Sequence, residues 1–143
     1  AGYRVLAVPD AKVFHLGGMI FGGGSTIRNK YETTIVRRFY NERNILRTLL
    51  KNYQMQTLLR VVLFYSVLLM AEIALYAFRL QVRPIRAYLR AVKWNALNLR
   101  DTWRKRAEVS RFRVVGDRSL ARLQVAGSAK LRVFLRIGMP LYR

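Results

Sequence analysis

Val61 to Phe78 reads VVLFYSVLLMAEIALYAF, and Glu72 is the single charge in it. The run is about the minimum length for a helix that crosses a bilayer. A carboxylate in mid-membrane is costly unless it is paired or faces protein. Three readings of the run stay open: a helix lying at or dipping into the cytoplasmic leaflet, a true span, and the buried helix of a soluble core. Arg47, Lys51 and Arg60 precede it, and Arg79, Arg83, Arg86 and Arg90 follow. Basic residues on both sides leave no clear inside and outside. They do favour contact with an anionic leaflet, where each basic side chain contributes on the order of 1 kcal/mol.

Downstream, the spacing predicts a helix over residues 85–106, with Pro84 suited to a first turn. Ile85, Tyr88, Leu89, Val92, Ala96, Leu99 and Trp103 form one apolar stripe at helical spacing. Arg86, Arg90, Lys93, Arg100 and Arg104 run beside it. Trp94 and Trp103 suit a belt at headgroup level. Two readings fit: an interfacial basic amphipathic helix, and a surface helix packing its stripe on a protein core. The residues expected to meet a membrane surface are Arg79, Arg83, Arg86, Arg90, Lys93, Trp94, Trp103 and Arg104.

Upstream, residues 31–53 read as a helix whose stripe runs through Ile35, Val36, Phe39, Leu46, Leu50 and Tyr53. Glu42 and Arg43 fall inside that arc. Charges on a buried face need partners or a ligand. Either an internal ion-pair network holds them, or Arg43 points at a phosphate. Before this helix, residues 3–8 and 12–15 are strand-like around a Pro9-Asp10-Ala11 turn, and two short strands need others to pair with. Residues 16–30, with five glycines, read as a flexible loop. Its Gly18 and Gly23 are spaced as in a phosphate loop, but Gly24 stands where the lysine belongs. His15 ends a strand and enters the glycines, so it is either a metal or phosphate ligand or a structural histidine. Beyond the helix, Gly116-Asp117 reads as a break, Ser119 as an N-cap, and Gly127 and Gly138 as interruptions.

Composition bounds the chain further. It has 143 residues, 27 Lys and Arg against 7 Asp and Glu, a net charge of +20, and 52% hydrophobic residues. That length suits one domain at most. Arginine supplies 21 of the positive charges, and residues 79–143 carry 17 basic side chains against 3 acidic ones. Such a balance points to a polyanion partner, and arginine forks suit phosphate. The absence of cysteine excludes disulfides and thiolate metal sites. One histidine excludes a multi-histidine site, and no complete catalytic constellation is visible. The opening Ala1-Gly2-Tyr3 lacks a secretory signal pattern and reads like the downstream part of something longer.

The residues Gly2-Tyr3-Arg4-Val5-Leu6-Ala7-Val8-Pro9-Asp10-Ala11-Lys12-Val13-Phe14-His15 resemble the closing stretch of the catalytic domain in family 2 glycosyltransferases of the GT-A fold. Phe39-Tyr40-Asn41-Glu42-Arg43-Asn44 with Leu49-Leu50-Lys51-Asn52-Tyr53 is similar to the helix that follows in rhamnosyltransferase-like members. Trp94-Asn95-Ala96-Leu97-Asn98-Leu99, Arg104-Lys105-Arg106 and Val114-Val115-Gly116-Asp117 are similar to their C-terminal tail. The resemblance covers about residues 2–120, and residues 121–143 match nothing in it. It implies a mainly α chain: a short β remnant of a GT-A α/β domain, then amphipathic and membrane-associating helices. The divisions would be 1–30, the edge of the catalytic domain; 31–106, the helical membrane-associating region; and 107–143, a basic tail.

The implied function is that of the membrane-docking portion of a transferase, acting in polysaccharide biosynthesis at the cytoplasmic face of the cell membrane, peripheral or single-span. The enzyme moves a sugar from a nucleotide-sugar to a lipid-linked or cell-surface glycan acceptor. In such enzymes an Asp-x-Asp type motif, absent from this sequence, holds a divalent ion, manganese or magnesium. The resemblance places His15 facing that metal and the diphosphate, and makes Arg43 and Asn44 candidates for the donor diphosphate or the acceptor. Two other classes account for part of the pattern. A ribosomal-like nucleic-acid-binding protein would explain the charge, but the apolar run is too long and no stacking module is visible. A small membrane scaffold would explain the run but not the strand-like opening.

Overall fold

The computed structural model describes residues 8–10, 12, 23–27, 30–123 and 127–142. In chain order they form β1 (Gly23–Ile27), β2 (Lys30–Thr33), α1 (Ile35–Asn52), α2 (Met55–Phe78), α3 (Val82–Leu97), α4 (Leu99–Arg111), α5 (Asp117–Ala121), α6 (Ala129–Ile137) and β3 (Leu141–Tyr142). The described chain is therefore mainly helical, with a small three-stranded sheet. The expected strands at 3–8 and 12–15 and the residue His15 lie outside the described residues, apart from Val8 and Lys12, which are in no strand. Pro9 and Asp10 form the expected turn.

The glycine-rich stretch is not a loop throughout. Gly23–Ile27 pairs antiparallel with Lys30–Thr33, with Thr26 opposite Tyr31 and Ile27 opposite Lys30. Ser25-Thr26-Ile27 and Tyr31-Glu32-Thr33 carry enough β-branched and aromatic character to outweigh the glycines before them. The irregularity between Gly23 and Ser25 marks where the glycines end regular pairing. The first helix consequently starts later than residue 31. Thr34 is extended, and its hydroxyl accepts a hydrogen bond from the Arg37 amide at 3.2 Å. That N-cap, rather than the apolar periodicity, fixes the helix start.

The decisive apolar run forms one helix, longer than the run itself. Met55 to Arg60 extend α2 backward because they are good helix formers with no breaker among them. Its N-terminus is held from a distance. The Asp117 carboxylate accepts from the Gln54 amide at 2.7 Å, and the Asp117 amide donates to the Gln54 side chain at 3.0 Å. A carboxylate there satisfies an otherwise orphaned donor and suits the positive end of the helix. At the other end Leu80 adopts a left-handed φ of 56° and turns the chain into α3.

The helix expected over 85–106 is two helices. Pro84 does lie in the first turn of α3, as its spacing suggested. At Asn98 the backbone leaves helical geometry, with φ −102° and ψ 17°. The Asn98 side chain competes for the Trp94 carbonyl, donating to it at 2.8 Å. Local side-chain bonding of this kind diverts the backbone. Ser119 is not an N-cap. Gly116 precedes α5, and Ser119 falls inside that helix. Ser128 caps α6 instead, accepting from the Leu131 amide at 3.2 Å, and Gly138 ends it with φ 72°.

α1 is the hub of the packing: α2, α3 and α4 all lie against it. The segment after α6 returns to the sheet, where β3 runs parallel to β2, Leu141 opposite Glu32 and Tyr142 opposite Thr33. The end of the chain, which matched nothing by resemblance, is thus built into the fold.

Candidate functional site

α2 buries leucines and tyrosines on one face and leaves many large apolar side chains exposed on the other. Leu58, Tyr65, Leu69 and Tyr76 are buried, and Glu72 is half-buried on the same face. Leu59, Leu63, Phe64, Val67, Met70 and Phe78 point away, with Leu63 68% and Phe78 90% exposed. Only 17% of the most apolar stretch of α2 is buried, and the helix is long and apolar enough to cross a membrane. A helix in a soluble core would bury those leucines. An exposed apolar face of this extent marks an interaction surface.

The inward face carries a closed set of charges. Glu42 of α1 is 1% exposed. It accepts from Arg38 at 3.1 Å, from Lys130 of α6 at 2.9 and 3.1 Å, and from the Tyr65 hydroxyl. Lys130 also pairs with Glu72 at 2.8 Å, and the Tyr88 hydroxyl donates to Glu72 at 2.7 Å. Arg38 donates to the Tyr142 hydroxyl at 2.9 Å, and Tyr142 lies 3.1 Å from the Tyr76 hydroxyl. Two carboxylates and two cations balance, so the buried network carries no excess charge. Burial works against the Arg38 charge, but Tyr88, Tyr142 and Glu42 around it outweigh that and hold its proton more tightly than usual. Burial pushes the Tyr88 hydroxyl well above the ordinary tyrosine range; Arg38 opposes the rise and Glu72 adds to it. Tyr88 is therefore a donor at any biological pH.

Of the two readings for the charges in the α1 arc, Glu42 takes the ion-pair network. The demand that Glu72 be paired is also met. Lys130 and Tyr142, which complete the network, were not legible in sequence, because their partners lie far away in the chain, Glu42 88 positions from Lys130 and Tyr76 66 from Tyr142. The one available signal was Ser128, a helix cap placing a lysine in the first turn of α6.

α3 packs by its small residues. Ala87, Tyr88, Ala91 and Asn95 are buried, as is Thr102 in α4. Asn95 donates to the Arg43 carbonyl at 3.1 Å, tying α3 to α1. The sequence stripe is mostly left out of this packing. Tyr88 is buried and Ile85 half-buried, but Leu89, Val92, Ala96, Leu99 and Trp103 are exposed. Among the described residues, therefore, only part of the stripe packs on protein. Arg83, Arg86, Arg90 and Lys93 are exposed on the adjoining flank.

The remaining expected site residues divide. Arg43 is half-buried, and its guanidinium lies 4.6 Å from the Tyr40 ring and 4.8 Å from the Trp94 ring. Its Nε and Nη2 both donate to Asn44 Oδ1, at 3.1 and 3.0 Å. Arg43 and Asn44 are thus brought together, bonded to each other. Trp94 is half-buried between Arg43 and Arg47, the latter 5.1 Å from its ring. Arg79 is exposed and donates to Met139. Arg104 pairs with Asp101 at 2.8 Å, beside Lys105 at 3.5 Å and Arg47. Desolvation raises the Asp101 pKa, but hydrogen bonds and charges from Arg104, Lys105 and Arg47 overcome it and hold the carboxyl below its usual value.

Among the described residues no group of three His, Cys, Asp or Glu stands together to hold a metal ion. The two carboxylates that face each other, Glu42 and Glu72, have the Lys130 ammonium between them. These residues do not fit a divalent ion, and no step is routed through one. No protein-family model matches the chain, and no match to it was found among curated proteins or solved structures.

Proposed function

We propose that this chain is the membrane-docking portion of a GT-A glycosyltransferase, similar to rhamnosyltransferases, acting at the cytoplasmic face of the cell membrane. It seats a nucleotide-sugar-dependent catalytic domain against the leaflet that presents a lipid-linked or cell-surface glycan acceptor. The observation that carries the membrane part is the exposed side of α2: Leu59, Leu63, Phe64, Val67, Met70 and Phe78 stay outside while Glu72 is turned toward the bundle and bonded there. Small residues where helices touch and large ones outside are what a lipid environment favours. The α2 length of 24 residues amounts to roughly 36 Å at the rise of an α-helix, enough for the hydrocarbon core.

The exposed arginines of α3 support a seat at the headgroups. Their flank lies beside Leu89 and Val92, so the helix can lie flat with its apolar side down. The transferase part rests on the resemblance of residues 2–15 and of the Arg43-Asn44 helix. In this reading a manganese or magnesium ion belongs to the donor site of the catalytic domain, with His15 facing it. Arg43 and Asn44, already joined, offer a paired guanidinium and amide to a diphosphate or acceptor.

Two measurements test the parts separately. The purified chain should float with anionic vesicles and not shift RNA at moderate salt; the reverse result removes the membrane reading. The coding sequence upstream of Ala1 should specify an α/β domain with an Asp-x-Asp motif and support metal-dependent sugar transfer to membranes. Lack of such a domain removes the transferase reading.

A further inference from the structure

An open cleft of about 720 Å³ lies between the second half of α1, the first half of α2, and a third wall made by Ala121 and by Gly127, Ser128 and Ala129 at the start of α6. Its walls include Ile45, Leu49, Val61, Phe64, Tyr65 and Leu68. That volume lies within the range of small-molecule sites, and the lining is as apolar as such sites are. Phe64 and Ile45 line the cleft and are also exposed, at 50% and 38%. The cleft therefore opens beside the outward apolar face of α2 rather than into the bundle.

Charge orients what can enter. Two cations line the cleft, Lys130 at its inner end and Arg60 at its rim. Lys130 donates to Glu42 Oε1 and Oε2 and is paired with Glu72 Oε2, so its charge is shared between two carboxylates. Arg60 is exposed and makes no hydrogen bond or ion pair with any described residue. Arg60 and Leu68 are eight positions apart on α2, or roughly 12 Å at the helical rise. An anionic head must bind at Arg60, and an apolar chain must run from there toward Tyr65 and Leu68.

We propose that this cleft binds one hydrocarbon chain of an anionic membrane phospholipid, with the lipid phosphate on Arg60. The site rests on the membrane placement of α2 given above, not on the transferase reading. The lipid would fill the wedge between α1 and α2 that the side chains leave empty. A zwitterionic lipid would bind less well, because its own cation would oppose Arg60.

The test uses the full chain purified in detergent, so that its outcome is independent of vesicle flotation and of sugar transfer. The protein is incubated with dioleoyl phosphatidylglycerol or dioleoyl phosphatidylcholine and examined by native mass spectrometry. The expected result is one phosphatidylglycerol retained per chain, with at least tenfold weaker retention of phosphatidylcholine. Arg60→Glu, at an exposed position, should lower phosphatidylglycerol occupancy more than tenfold with unchanged helicity. Ala129→Trp, which fills the cleft, should abolish it, while Leu63→Trp on the outward face should leave it unchanged. If Ala129→Trp does not fold, the Arg60→Glu result decides. Retention of no lipid, equal retention of the two lipids, or wild-type occupancy in Arg60→Glu overturns the proposal.

Discussion

α2 and α3 both lean on α1, and they do so in opposite ways. α2 turns a carboxylate and two tyrosines toward the bundle and holds large apolar side chains outside. α3 turns alanines and an asparagine inward and holds arginines and leucines outside. The first contact is held by hydrogen bonds and charge, the second by close approach of backbones. Both also share one apolar cluster, in which Leu46 and Leu49 of α1 pack with Tyr65 and Leu69 of α2 and Tyr88 of α3.

The largest effect should come from the charge-held contact. Glu42→Ala leaves Lys130, Arg38 and Tyr65 without their shared acceptor and should cost about 3–5 kcal/mol, read by denaturant unfolding in detergent. Lys130→Met should expose α6 to protease at Ser128–Gly138, since it removes the link from α6 to both carboxylates. Little change in either variant would mean that α2 is not held through this network.

The outward face should behave in the opposite sense. Leu63→Glu with Val67→Glu should leave the bundle folded with unchanged helicity, because both side chains lie outside it. The same pair should lower association with anionic vesicles more than about a hundredfold, at 1.4 kcal/mol per decade. Loss of folding in place of vesicle binding would make α2 a core helix after all.

The contact by close approach is the next to perturb. Ala91→Leu inserts a side chain where none fits, at a position with no exposed surface, and should cost about 1–3 kcal/mol. Tolerance of that leucine would show the α1–α3 contact to be loose. On the α3 flank, Arg86→Gln with Arg90→Gln should weaken vesicle binding by about 1 kcal/mol per site without changing stability, an effect that high salt erases. The smallest effect is at Asp101. Its folded pKa is depressed, so its contribution to stability is present above the ordinary carboxylate value near 3.8 and is lost as pH falls through the lower folded one. Asp101→Asn should flatten a shallow loss of stability in that acid window.

Much of this was legible residue by residue. Pro84 belonged in a first turn, Glu72 required a partner, and Glu42 in an apolar arc required either a network or a ligand. What misled was local periodicity where a side chain outbid it. At Asn98, whose side chain and amide both donate to the Trp94 carbonyl, one expected helix becomes two. Thr34 set the helix start at Ile35, the first residue of the stripe, rather than at the expected residue 31. The stripe of α3 counted leucines, whereas the contact selected alanines, because helices approach most closely where side chains are smallest. The site was half legible: the acids were visible, but their partners Lys130 and Tyr142 come from a segment whose own sequence gives no reason to fold back.

The sequence by itself determined that there would be helices, that one is apolar enough for a bilayer, and that arginine surrounds it, because helix propensity, hydropathy and charge are properties of neighbouring residues. Only the tertiary structure decided which way α2 faces. Direction depends on pairing Glu42, Lys130 and Glu72 across three helices. A buried charge is stable only beside a partner, and partners far apart in the chain meet only when it folds.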